Sequence, residues 1–225
     1  MNAMPLFSVF AFILMIVLLP ILYGEILAVS LGKLHLTPGL ALLLMIAIII
    51  GGLINIPVKR IAHERVVPMH PLAVFGLGSA LPAMRRERQY AIIAVNIGGC
   101  IIPTGLAVYE LLHLAGAGSS TLLALVVAGG INIAICYFLA RPVQGLGILL
   151  PGLVPAAVAA ILAILLAPSN PAPVAYVAGV AGPLIGADLL HLKEIEQSAT
   201  GIASIGGAGT FDGIVLSGIV AAYLA

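Results

Sequence analysis

Charge is what this chain has least of. Only 8% of its 225 residues are charged, and just two of its eight acidic residues are aspartates, Asp188 and Asp212. A soluble domain carries about 25% charged residues and about 45–50% apolar ones. Here 62% are apolar and the mean hydropathy is +1.26. A water-soluble core of this size cannot hide that much apolar surface, so the solvent for most of the chain is lipid. The net charge of +1 gives no case for nucleic acid. Tryptophan is absent, so an aromatic belt rests on Tyr and Phe. The two cysteines, Cys100 and Cys136, fall inside apolar segments and read as small buried hydrophobes, not as a disulfide or a metal pair. There is no HExxH, since His63-Glu64 lacks a second histidine at the required spacing. Nothing calls for a metal or a cofactor. The N-terminus also lacks the marks of a signal peptide: Met1 to Pro5 carry no basic side chain, and Tyr23-Gly24-Glu25 offers no small-residue cleavage site. It reads as a first transmembrane helix.

What is present is a series of apolar runs. A span needs roughly 20 such residues. Seven stretches qualify, at about 5–29, 37–58, 90–112, 121–140, 144–167, 173–192 and 202–225. The expected fold is all-α: one transmembrane domain over 1–225, a bundle of about seven helices. The one long polar link, 59–89, contains an apolar stretch at 71–84 that is too short to span and suits a re-entrant or interfacial helix, with a plain loop as the alternative. Lys59, Arg60, Arg65, Arg85, Arg86, Arg88, Arg141 and Lys193 fall in even-numbered links, and only Lys33 falls in an odd one. The positive-inside rule then puts the N-terminus in the cytoplasm and the C-terminus outside a plasma (inner) membrane.

Glycine and proline interrupt these runs. Gly51-Gly52, Gly98-Gly99 and Gly129-Gly130 allow backbones to approach, and Pro103, Pro151, Pro155 and Pro183 each remove a helical donor. Asn55, Asn96 and Asn132 accompany the glycine pairs. The segments around Asn55 and Asn132 look like a brief echo on two parallel helices. These amides either bond neighbouring helices or, at unwound mid-depth backbone, bind an ion or small solute.

Ionisable groups inside a membrane are functional candidates. Asp188 stands five residues before Lys193, about 7–8 Å below the cytoplasmic helix end. Gly206-Gly207-Ala208-Gly209 is a poor helical segment, so regular helix is expected to start near Thr210, with Asp212 in its first turn. The two carboxylates would then face each other at similar depth. Two carboxylates in a dry, close site share a proton, which suits an aspartyl hydrolase or a cation-coupled carrier. The bland alternative is a capping role for Asp212 and an Asp188–Lys193 pair. His191 shares a helix face with Asp188. An interfacial role fits it better than a metal site. Glu110-Leu-Leu-His113 repeats the wording of Asp188-Leu-Leu-His191, but falls at the outer end near Glu25 and His35.

The segments at 55–57 (NIP), 95–103 (VNIGGCIIP), 151–156 (PGLVPA), 185–192 (IGADLLHL) and 204–214 (SIGGAGTFDGI) together resemble a prokaryotic multipass membrane family of unknown function. A second resemblance is to the GxGD intramembrane aspartyl proteases, although Gly207-Ala208-Gly209-Thr210-Phe211-Asp212 reads GxGxxD. That resemblance implies Asp188 and Asp212 as catalytic residues. Asn55, Asn96, Asn132, His191, Gly207 and Gly209 are the candidates for contacting a substrate or ion. The expected partners are the bilayer and a membrane-embedded peptide or small solute.

Overall fold

The computed structural model describes residues 18, 21–68, 84–143, 147–198 and 201–225. Among these, three helices are long and apolar enough to cross a membrane: Ile97–Gly116, Ser119–Leu139 and Pro171–Leu189. Four more are apolar but shorter: Ile21–Gly32, Pro38–Gly51, Leu153–Leu166 and Gly213–Leu224. Successive helices are α1 (Ile21–Gly32), α2 (Pro38–Gly51), α3 (Ile102–Gly116), α4 (Ser119–Leu139), α5 (Leu153–Leu166), α6 (Pro171–Ala181), α7 (Leu192–Ser198) and α8 (Gly213–Leu224).

The chain is not purely helical. β1 (Asn55–Pro68), β2 (Met84–Asn96) and β5 (Ile202–Ile205) form a sheet in the order β1-β2-β5, with β1 antiparallel and β5 parallel to β2. β3 (Arg141–Val143) and β4 (Gly147–Leu149) make a separate hairpin. This corrects two expectations. Much of the link 59–89 is paired strand, and of the stretch 71–84 only Met84 lies within the described residues, as the first residue of β2. The spans expected at 90–112 and 202–225 open as strands. β-branched runs such as Ile92-Ile93-Ala94-Val95 favour extended backbone once a partner strand satisfies their N–H and C=O groups. Proline leaves its own mark: the β1–β2 register slips between Pro57 and Lys59, where the ring has no N–H to donate.

α6 is the hub, packing against α3, α4, α5 and α8. Lipid gives helices no hydrophobic reason to associate, so close packing of small residues must do it. Ala156, Ala159, Ala160 and Ala163 of α5, Ala172, Ala175 and Ala178 of α6, and Ala221 and Ala222 of α8 are accordingly buried. Tyr176 fills the centre, with its hydroxyl donating to the Pro103 carbonyl at 3.3 Å. Large side chains such as Leu43, Ile50, Leu123 and Leu165 point outward, as lipid-facing residues do.

α6 widens into a π-helical segment at Gly182–Leu189. Pro183 cannot supply its N–H, and the Leu190 N–H reaches back five residues to the Ile185 carbonyl. The segment lies so close to α4 that a Cβ on Gly186 would come 2.3 Å from the Ile133 carbonyl oxygen. The supposed echo between Asn55 and Asn132 does not hold. Asn55 opens a strand, whereas Asn132 is buried in mid-α4 and donates to the Ala178 carbonyl of α6 at 2.8 Å. The wording is similar, but Gly51-Gly52 ends a helix and Gly129-Gly130 does not.

Candidate active site

Three interrupted segments meet at one end of the bundle. α2 stops at Gly51 and gives way to β1; β2 ends at Asn96 and turns through a π-helical stretch, Ile97–Ile101, into α3; β5 runs into Gly206-Gly207-Ala208-Gly209, a single 3-10 turn at Gly209–Phe211, and then α8. Glycine is required where they cross. A Cβ on Gly99 would lie 2.0 Å from the Gly206 carbonyl oxygen, and Gly206 itself has φ +72°.

Beside this crossing lies a cavity of about 670 Å³. Its walls include Asp188 from the π-helical segment, Asp212 at the head of α8, Asn55 from β1, the whole of β5, the residues of β4 and Ile195 of α7. Among the expected site residues, Asp188, Asp212, Asn55 and Gly207 therefore border one space. Asn96, Asn132, His191 and Gly209 are not among its lining residues.

The two carboxylates differ in support. Asp212 is the N-cap of α8, its Oδ1 accepting from the Ile214 N–H at 3.0 Å and its Oδ2 approached by the Ala208 N–H at 3.4 Å. The cap falls two residues later than Thr210, the expected start. Tyr23 of α1 braces this turn by donating to the Thr210 carbonyl at 2.6 Å and packing on Phe211, with ring centroids 5.0 Å apart. Asp188 has no hydrogen-bond partner among the described residues and forms no ion pair with Lys193 there. Lys59 pairs instead with Glu196 of α7 at 2.6 Å.

His191 turns away from the cavity. Its Nδ1 lies 3.0 Å from the Ala187 carbonyl oxygen, and its ring stacks on Tyr137 of α4 at 4.7 Å. Among the described residues no cluster suits a metal ion. At the other end of the bundle Glu110 is fully buried and accepts from the His35 N–H at 3.0 Å, with His35 Nδ1 2.8 Å from its second oxygen. Glu25 is exposed on α1.

A family model described as "Protein of unknown function (DUF1614)" matches residues 49–224. The chain belongs to that family. The matched stretch takes in every residue that lines the cavity, from Asn55 to Gly213. No curated protein matches the chain, and no solved structure matches it. The DUF1614 description carries no activity.

Sequence reasoning missed three parts of this site: the β5 strand, the β3–β4 hairpin and Ser204. The β-branched residues Ile202 and Ile205 were a signal for extended backbone, but on an apolar run they suit helix equally well.

Proposed function

We propose that this member of the DUF1614 family is an intramembrane aspartyl peptidase of a prokaryotic plasma membrane, with Asp188 and Asp212 as its catalytic pair. It would cross the bilayer seven times, with the N-terminus and the β1–β2 ribbon in the cytoplasm and the C-terminus outside. The observation that carries this reading is that both aspartates and β5, an edge strand among the described residues, border the same cavity. An open strand edge accepts an extended peptide by main-chain hydrogen bonding. A peptide laid there would bring a scissile amide to the carboxylates.

The chemistry needs one carboxylate and one carboxylic acid. Asp212, held by backbone N–H groups, suits the ionised role: it takes a proton from water as the water oxygen bonds to the carbonyl carbon. Asp188, without such donors, suits the acid role and protonates the carbonyl oxygen. Asp212 then passes its proton to the nitrogen as the C–N bond breaks, one diol hydroxyl returns a proton to Asp188, and a carboxylic acid and an amine remain. A carrier would use the same acidic pair with Asn55, Asn96 and Asn132 as ligands, and of these three only Asn55 is among the residues lining the cavity. Asn96 is instead occupied by protein partners, and the Asn132 amide nitrogen is bonded to α6.

The test offers a synthetic single-span peptide to purified protein in bicelles and reads the fragments by mass spectrometry. Two complementary fragments are expected from the wild type and none from Asp188→Asn or Asp212→Asn. Wild-type protein that cuts nothing, yet accumulates a solute in proteoliposomes under an imposed ion gradient, would overturn the peptidase.

A further inference from the structure

Asn55 is held by a chain of hydrogen bonds that fixes which way its amide faces. The chain starts at backbone groups, whose donor and acceptor identities are not in question. The Gly99 N–H donates to one side-chain atom of Asn96 at 2.7 Å, so that atom is Oδ1. The other terminus of the Asn96 amide is therefore the NH2 group. It donates to the Gly52 carbonyl at 2.8 Å and to Asn55 at 3.0 Å. The Asn55 atom that receives this bond must be its carbonyl oxygen. The Ser204 hydroxyl donates to the same oxygen at 2.6 Å. Asn96 is itself fully buried, which locks the arrangement.

The consequence lies on the far side of Asn55. With two donors converging on Oδ1, its NH2 group points away from Asn96 and Ser204. Among the described residues that NH2 group meets no acceptor, and Asn55 lines the cavity that holds Asp188 and Asp212. A pre-oriented amide donor costs little reorganisation when an acceptor arrives. Among the described residues the cavity's other polar side chains are Asp212, which as an anion can only accept, Asp188, whose one proton the proposed chemistry spends on the scissile carbonyl, and Ser204, whose hydrogen is engaged with Asn55.

We infer that Asn55 is a substrate-binding residue whose amide N–H donates to a main-chain carbonyl of an extended peptide in the Asp188–Asp212 cavity, and that Asn96 and Ser204 are the positioning residues that aim it. This rests on the peptidase reading and adds the group that would hold the peptide carbonyl. A merely structural Asn55 would need only its oxygen. The donor role needs the nitrogen.

The experiment measures binding apart from cleavage. In the uncut Asp188→Asn background, a fluorescent single-span peptide is titrated in bicelles, along with a series in which one carbonyl oxygen at a time is replaced by sulfur, a weaker acceptor. One sulfur position is expected to weaken binding about 3- to 10-fold, the worth of one net hydrogen bond. Asn55→Ala should weaken the parent peptide by a similar factor and erase the penalty at that position alone. Asn55→Asp keeps the oxygen that Asn96 and Ser204 need, so it serves if the alanine variant fails to fold, and it should behave as the alanine variant does. Ser204→Ala should give a smaller loss. Peptide binding that is unchanged in Asn55→Ala or Asn55→Asp, or a sulfur penalty that persists in either, overturns the Asn55 role and leaves the peptidase standing. A parent peptide that neither binds this background nor is cut by wild-type protein overturns both.

Discussion

Asp212 caps α8, and the proposed peptidase would give it a second job that substitution can separate. As N-cap of α8 it satisfies the Ile214 N–H, a role asparagine fills equally well. Asp212→Asn should therefore unfold at the wild-type temperature yet lose all cleavage, and Asp212→Ala should in addition lose about 0.5–2 kcal/mol of stability. Thermal unfolding in detergent, run beside the peptide assay, checks both. An Asp212→Asn protein as unstable as the alanine variant would show that something other than the cap is lost. The crossing glycines make the opposite case. Gly99→Ala drives a methyl group into the Gly206 carbonyl, and main chain cannot move aside as a flexible side chain can. It should cost about 1–3 kcal/mol or block folding. Gly105→Ala, three residues into α3 with open space around it, is the control and should be nearly silent.

At the scale of elements, β5 is the part with a spare valence. Its residues Ile202 to Ile205 pair with Ile92 to Val95 and, among the described residues, with no strand on the other side. Backbone N–H groups on the free side are open to solvent exchange, and those bonded to β2 are protected. Hydrogen exchange on the Asp188→Asn protein should find fast amides in β5 that become slow when the single-span peptide is added, while β2 stays slow throughout. No change in β5 with peptide bound would move the peptide to another wall of the cavity. The Lys59–Glu196 pair between β1 and α7 is a lesser contact. It is partly exposed, with 56% of the Lys59 side chain accessible, so Lys59→Met should change stability by less than about 1 kcal/mol.

For the whole molecule the testable property is sidedness. Eight of the nine basic residues lie in links that the proposed topology puts on one side. A reporter fused after Ala225 should read outside, and one inserted within the β1–β2 link should read cytoplasmic. Both reporters on the same side would remove the seven-span topology, because an odd number of crossings must separate them.

Composition alone pointed to lipid as the solvent of this protein. With 62% apolar residues and 8% charged, its apolar surface exceeds what a soluble core of this size hides, and among the described residues three helices of 19 to 21 residues are long and apolar enough to cross a bilayer. The scarcity of aspartate likewise pointed to Asp188 and Asp212 before any fold was known, because a carboxylate in lipid is costly enough to stand out. Only the tertiary structure decided the rest. Periodicity cannot separate a buried strand from a buried helix in a uniformly apolar run, so the first residues of two expected spans were read as helix when a partner strand makes them β2 and β5. The amides were equally illegible: Asn55, Asn96 and Asn132 look alike in sequence. Which of them faces the cavity and which is consumed by its neighbours depends on donors far away in the chain, at Gly99 and Ser204. A hydrogen-bond network has direction, and only folding supplies it.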